Sequence, residues 1–248
     1  MSGEHLWSAW VGELFPATSY KFSRRDDFGT ALNEWTRPNV DLKSNDTCRT
    51  CNNGWMSDLE SQYAKPAMKD MILHGARVLL TPQRVAAISA FAFKTAVIAE
   101  HMKQRNSPFF SAATRRQFAR TLEVPPDVLI WLASYSGVRL RGGIFKSAYL
   151  EGSLPDGNRL KAYLFTWKAG HLVLQLLAPT LIPARGKRLT GTEQYDINSR
   201  ENFDDFIVPI WPYVGPFPWP TGHHLGDDSL QKFSDRWGGI TYFPKPTS

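Results

Sequence analysis

Near Pro125-Pro126 the spacing of apolar residues changes from helical to strand-like, and that change constrains the fold more than any other feature. On the N-terminal side, Thr81-Pro82 pairs an N-cap with proline at the first helical position. Val85, Ile88, Phe91, Ala92, Thr95, Ile98 and Ala99 then recur at helical spacing, which predicts a helix to about Met102. A shorter helix is expected to open near Ser111, carry Arg115, Arg116 and Arg120 on its polar side, and close at Pro125-Pro126. Beyond the prolines, residues 128–135, 138–150, 159–167 and 171–178 are rich in β-formers. Ser-Gly, Pro-Asp-Gly-Asn and Ala-Gly-His turns separate them, so an antiparallel sheet of four strands is expected. Residues 179–225 are crowded with proline and aromatics, which suits extended chain and excludes regular helix or central strand. Residues 227–237 read as a last short helix.

Toward the N-terminus, Trp7, Trp10, Val11, Leu14 and Phe15 predict a short amphipathic helix ended by Pro16. Residues 17–47 are polar and irregular, with strand candidates at 20–22 and 39–42. From Asn52 a helix is expected, with Trp55, Met56, Leu59 and Tyr63 on its inner face. Pro66 should break or kink it before a second piece runs to about His74.

A chain of 248 residues, 42% hydrophobic and 13% aromatic, can bury a substantial core, and its composition is not that of a disordered protein. No apolar run is long enough for a bilayer, and the first residues lack the basic start and apolar stretch of a signal peptide. The expectation is a cytoplasmic, reduced protein with no membrane partner. The net charge of +6 is unevenly placed. Residues 76–200 hold 18 Lys and Arg against 7 Asp and Glu, whereas residues 1–75 hold 8 against 10 and residues 201–248 hold 3 against 6. A basic middle segment suits a polyanion, since released counterions drive association; a merely solvated basic surface is the alternative.

Two short motifs point to chemistry. Glu4-His5 is an acid–histidine dipeptide, and Cys48-Arg49-Thr50-Cys51-Asn52-Asn53-Gly54-Trp55-Met56 places an asparagine directly after a tight cysteine pair. In this order the chain resembles the HNH endonucleases. The resemblance is to the bacterial and phage branch with Ser-x-Glu-His and Cys-x-x-Cys-Asn-x-Gly-Trp-Met motifs, and it covers about the first quarter of the chain. It implies an N-terminal ββα-metal motif, and with the elements read above the expected fold is α+β: that motif, central helices, and the C-terminal antiparallel sheet with its Pro/Trp-rich extended segment. Residues 1–75 would form the HNH-like region, its hairpin carrying an insertion at the tip. Residues 76–248 would form a helical plus antiparallel β region packed on it as one unit.

The same resemblance implies roles. His5 would be the general base of phosphodiester hydrolysis, its imidazole largely unprotonated at neutral pH. Glu4 and Asn52 would hold one divalent cation, Mg²⁺ or Mn²⁺, as hard oxygen ligands. DNA would be the partner; the charge distribution, not the resemblance, offers Arg115, Arg116, Arg120, Arg139 and Arg141 as its phosphate contacts, and the last two should share a strand face by period-two alternation. The family occurs in phages, mobile elements and defence loci, so a role against foreign DNA is permitted. A protein partner or homodimer is also open.

The chain departs from the family at two places. Members usually carry an earlier Cys-x-x-Cys, and four thiolates close a structural zinc site. Here Cys48 and Cys51 are the only cysteines, so the structural zinc site is incomplete. Either the natural chain begins further upstream, or the second pair has been lost, or other ligands complete it. The family's middle asparagine, which orients the catalytic histidine, is replaced by Lys43; Asn45 is the nearest substitute and Asn39 the next.

Plainer readings exist for every residue. Glu4 and His5 could be frayed surface groups. Asn52 could be only an N-cap, the cysteines small buried residues, and Trp55 core. His223-His224 beside Asp227-Asp228, the Glu100-His101 pair at a helix end, and His74 are weaker candidates. Against the endonuclease stand a catalytically degenerate nucleic-acid-binding protein that keeps the HNH platform, and an interaction module that docks a partner through its Pro/Trp-rich tail.

Overall fold

The computed structural model describes residues 2–5, 8–16, 19–25, 31–38, 43–101, 108–139, 141–154, 157–184, 195–198, 203–212, 215–237 and 241–244. For residues 2–5, 22–25, 31–32, 43–47, 195–198 and 241–244 the description is of the backbone alone. Helices and antiparallel sheets make it an α+β protein. Two compact units form: Met1–Leu73 with Gln83–Val124, and His74–Pro82 with Pro125–Ser248. This division differs from the boundary expected at residue 75. The helical segment groups with the N-terminal region because its apolar stripe finds cover there: Phe91 meets Trp10, and Phe118 meets Trp55.

In the first unit, β1 (Ser2–His5) pairs antiparallel with β4 (Lys43–Thr47), and a hairpin of β2 (Tyr20–Arg25) and β3 (Ala31–Arg37) is inserted between them in sequence. The strand expected at 39–42 lies outside the described residues. The second hairpin strand is Ala31–Arg37, which the sequence reading did not single out. Helix α1 (Ala9–Glu13) buries Trp10 and Val11.

A helical segment follows β4, kinked at Gly54, whose dihedrals (φ −104°, ψ −117°) are not helical: α2 (Arg49–Cys51), wide turns at Asn52–Met56 and Leu59–Ala64, then α3 (Lys65–His74). Cys48 is its N-cap, with Sγ accepting the Cys51 N–H at 3.0 Å. Asn52 therefore neither opens nor caps the helix; it has helical dihedrals (φ −64°, ψ −50°) one turn in. Pro66 does not break the run. The wide turn before it accommodates the missing N–H, and the helix continues. The same widening corrects the inner face. The wider turn rotates Ala64 toward the side of Leu59 relative to an α-helix; Ala64 is buried while Tyr63 stands 52% exposed.

Helix α4 (Pro82–His101) begins at the expected proline and buries all seven residues of the predicted stripe. Helix α5 (Ala112–Thr121) is capped by Ser111, whose Oγ accepts the Thr114 N–H at 3.0 Å, and ends at Leu122 in the left-handed conformation.

In the second unit the strands are β5 (Val78–Leu80), β6 (Leu129–Ser134), β7 (Gly142–Ser153), β8 (Arg159–Ala169), β9 (Leu172–Ile182), β10 (Tyr195–Asn198), β11 (Ile207–Trp211), β12 (Phe217–Trp219) and β13 (Thr241–Pro244). Five of them form one antiparallel sheet in the order β11-β6-β9-β8-β7; β5 pairs with β12, and β10 with β13. The sheet has one strand more than expected. Its fifth member comes from the proline-rich stretch and takes an edge, where Pro209 withholds no ladder hydrogen bond from a second neighbour. Gly170, at φ +51°, supplies the tight turn between β8 and β9.

Helix α6 (Asp227–Asp235) packs Leu230 and Phe233 against Ala133, Val173 and Ile207 of the sheet. Buried Gln175 satisfies all its main bonding capacity there. Its amide donates to Thr166 Oγ1 and the Phe233 carbonyl, and its oxygen accepts from Arg236 Nε and Trp237 Nε1. Arg236 lies 4.7–4.8 Å from the rings of Trp131, Phe233 and Trp237, and burial pulls its guanidinium down to about 9.

Candidate functional site

The two motifs meet through backbone pairing. His5 stands opposite Lys43 and Glu4 opposite Ser44, and the strand bearing Lys43 and Ser44 runs directly into Cys48 and the helix that carries Asn52. The register slips between Glu4 and Ser2, which pair with Ser44 and Thr47. Asn45 and Asp46 therefore face Gly3 across a bulge, the irregularity by which strands near functional sites re-aim side chains. Lys43 occupies the place directly across from His5, and Asn45 the bulge beside it. Asn39 lies outside the described residues.

Behind the motif the first unit is held by a polar tether. Ser8 Oγ donates to Glu60 Oε1 at 2.6 Å, and the Lys94 ammonium donates to the same oxygen. Lys94 is 1% exposed and the Glu60 side chain 15%. A buried lysine is costly unless paired, so this contact is under strong geometric demand. The one sequence signal was Lys94 itself, a lone charge inside Ala90-Phe91-Ala92-Phe93-Lys94-Thr95-Ala96. Nothing local pointed to Ser8 or Glu60 as its partners. Trp55 is half-buried rather than pure core, with its ring edge-on to Phe118 at 5.6 Å; Phe118 also meets Phe93 at 4.8 Å. The motif helix, α4 and α5 are thus one packed body.

Helix α5 brings the first three arginines to this unit. Arg116 and Arg120 are exposed and four residues apart, on one face. Arg115 is half-buried and its Nη1 is turned to His101 Nε2. The buried carboxylate of Glu100 accepts the backbone N–H groups of Phe109 and Phe110, which fixes the approach to α5. Between Glu100 and Glu123 the chain has five basic residues and no acidic one.

Arg139 and Arg141 belong to the second unit, and the strand-face argument for them fails. Strand β7 begins only at Gly142. Asp227 accepts the N–H groups of Val138 and Arg139 at 3.3 and 3.2 Å and holds that stretch as a loop, so period-two alternation does not apply. Arg139 also lies 3.8 Å from Asp228. Asp227 further accepts the Tyr135 hydroxyl, a bond that, with the two backbone donors, lowers its carboxyl below the ordinary value.

This accounts for the C-terminal histidine–aspartate candidates as structural groups. His224 Nδ1 is 2.8 Å from Ser134 Oγ, and the His223 ring packs on Phe206 at 5.4 Å. Lys168 lies 3.8 Å from the Tyr135 ring and donates to the Arg141 carbonyl at 3.3 Å; burial pulls its amine down to about 7. His74 is exposed at the end of α3.

Cys48 and Cys51 are joined as a disulfide, with Cα atoms 5.3 Å apart. In that state neither sulfur is a thiolate. Among the described residues no group of three or more His, Cys, Asp and Glu is placed to hold a metal. Glu4 and Asn52, the cation ligands that the sequence resemblance implies, are residue types whose oxygen donors suit Mg²⁺ or Mn²⁺. Among the described residues no helix is long and apolar enough to cross a membrane. No protein-family model, curated protein or solved structure matches this chain.

Proposed function

We propose that the protein is a metal-dependent endonuclease of the ββα-metal type that hydrolyses phosphodiester bonds of DNA. The observation that carries this reading is the β1–β4 ladder. It sets the acid–histidine dipeptide across from the strand that leads straight into the Cys-x-x-Cys-Asn helix. In this reading His5 accepts the proton of the attacking water, and Glu4 and Asn52 hold a single divalent cation. When bound, that cation supplies the positive charge that stabilises the departing oxygen. Asn45, at the bulge, takes over the orienting role of the family's middle asparagine. Arg116 and Arg120, exposed in the same unit, bind phosphates.

The test is nicking of supercoiled plasmid with Mg²⁺ or Mn²⁺, against a chelated control. His5→Ala should abolish cleavage and leave DNA affinity nearly intact, because a general base acts on the transition state rather than on ground-state binding. Equal cleavage by His5→Ala and the parent would remove the catalytic assignment. One observation favours a second reading: lysine, not asparagine, stands across from His5. A parent protein that binds DNA and cuts it with neither metal would be a binding protein that retains the HNH platform.

A further inference from the structure

We propose that Ser8, Glu60 and Lys94 are positioning residues that set the spacing between the acid–histidine strand and the helix bearing Asn52; this rests on the endonuclease reading only for its catalytic consequence. Ser8 is the N-cap residue of α1, yet its side chain makes no capping bond. Serine at that place ordinarily accepts an N–H of the first turn. Here the hydroxyl is buried and given instead to Glu60, 52 residues away. Ser8 is three residues beyond His5, a span of no more than ~11 Å even when fully extended. Glu60 is eight residues beyond Asn52, past the kink at Gly54.

The tether thus joins the two halves of the motif at points just outside them. Lys94 makes the junction rigid. Its ammonium is buried on α4 and donates to the carboxylate oxygen that Ser8 also uses, so Glu60 is held from two separate elements at once. Sequence-adjacent pairing through β4 fixes one side of the site, and this cross-chain contact fixes the other. Water attack demands that base and cation stay in register, and misplacement by about 1 Å costs on the order of 100-fold in rate.

The decisive measurement is native-state hydrogen exchange on the full chain, comparing the parent with Ser8→Ala, Ser8→Thr and Glu60→Gln. Ser8→Ala removes the tether without touching the ion pair. Faster exchange at the amides of the β1–β4 ladder, with α5 unchanged and Ser8→Thr restoring the parent pattern, is the expected result. Unchanged ladder exchange in both Ser8→Ala and Glu60→Gln overturns the proposal, whatever cleavage does. In the plasmid assay Ser8→Ala should lower kcat by about tenfold or more, with KM for DNA unchanged and a higher Mn²⁺ concentration for half-maximal rate. If the ladder loosens and the parent itself never cuts DNA, the tether stands and the endonuclease reading falls.

Discussion

Replacing Arg116 and Arg120 together by alanine tests the nucleic-acid interface in a way the structure makes quantitative. Both side chains are exposed on one face of α5. Their removal should change stability by no more than about 0.5 kcal/mol, and a thermal melt can verify this. If each neutralises one phosphate, the variant releases two fewer sets of counterions, and the slope of log K against log salt should flatten by ~1.8. Between 50 and 200 mM salt, a fourfold range, the parent's affinity should then fall roughly 12-fold further than the variant's. Fluorescence anisotropy with a labelled duplex at four salt concentrations reads this directly. The loss should be similar for unrelated DNA sequences, since phosphate contacts carry no sequence information. A folded double variant with the parent's salt slope would refute the assignment of α5 as the phosphate-binding face.

Other consequences follow from buried groups. Glu60→Ala and Lys94→Met should each destabilise the protein by about 1–3 kcal/mol in urea unfolding, because each breaks a largely buried charge-assisted contact; the double variant should cost less than the sum, and strict additivity would deny the pair. Phe118→Ala should cost about 3–5 kcal/mol by opening a cavity between Trp55 and Phe93, and a loss under 1 kcal/mol would mean that α5 is not held to the motif helix. Lys168 gives a pH signature. Its folded amine keeps the proton only below about 7, while an unfolded lysine keeps it to 10.5. Between those values the unfolded state binds more protons, so this group makes stability rise with pH from about 7 upward and contributes a flat term below. Urea midpoints at several pH values should show that rise in the parent and not in Lys168→Met; parallel curves would exclude it. The depressed carboxyl of Asp227 acts at the other end: stability it contributes above its unfolded value is lost as acid protonates it through its lower folded value.

The elements legible in the sequence are those whose causes are local. Thr81-Pro82 and the apolar stripe from Val85 to Ala99 specify α4 through capping chemistry and periodicity, and the helix begins and buries as those residues dictate. Ser111 caps α5 for the same reason, and four of the sheet strands follow from β-rich runs between turns. The acid–histidine and Cys-x-x-Cys-Asn motifs are likewise read from adjacent residues, while their pairing across β1 and β4 needs a chain reversal of some forty residues. What the tertiary structure alone decided depends on partners far away in sequence. Proline-bearing β11 joins the sheet because β6, more than 70 residues earlier, offers it an edge. Arg139 leaves the strand it was expected to share with Arg141 because Asp227, 88 residues on, takes its N–H. Tyr63 turns outward because π turns shift the phase of the helix, a change that no 3.6-residue pattern encodes. Lys94 is visible as a lone charge in an apolar helix, but its pairing with Glu60 and Ser8 is a matter of burial: a charge taken from water must find its counterpart among whatever residues the fold brings near.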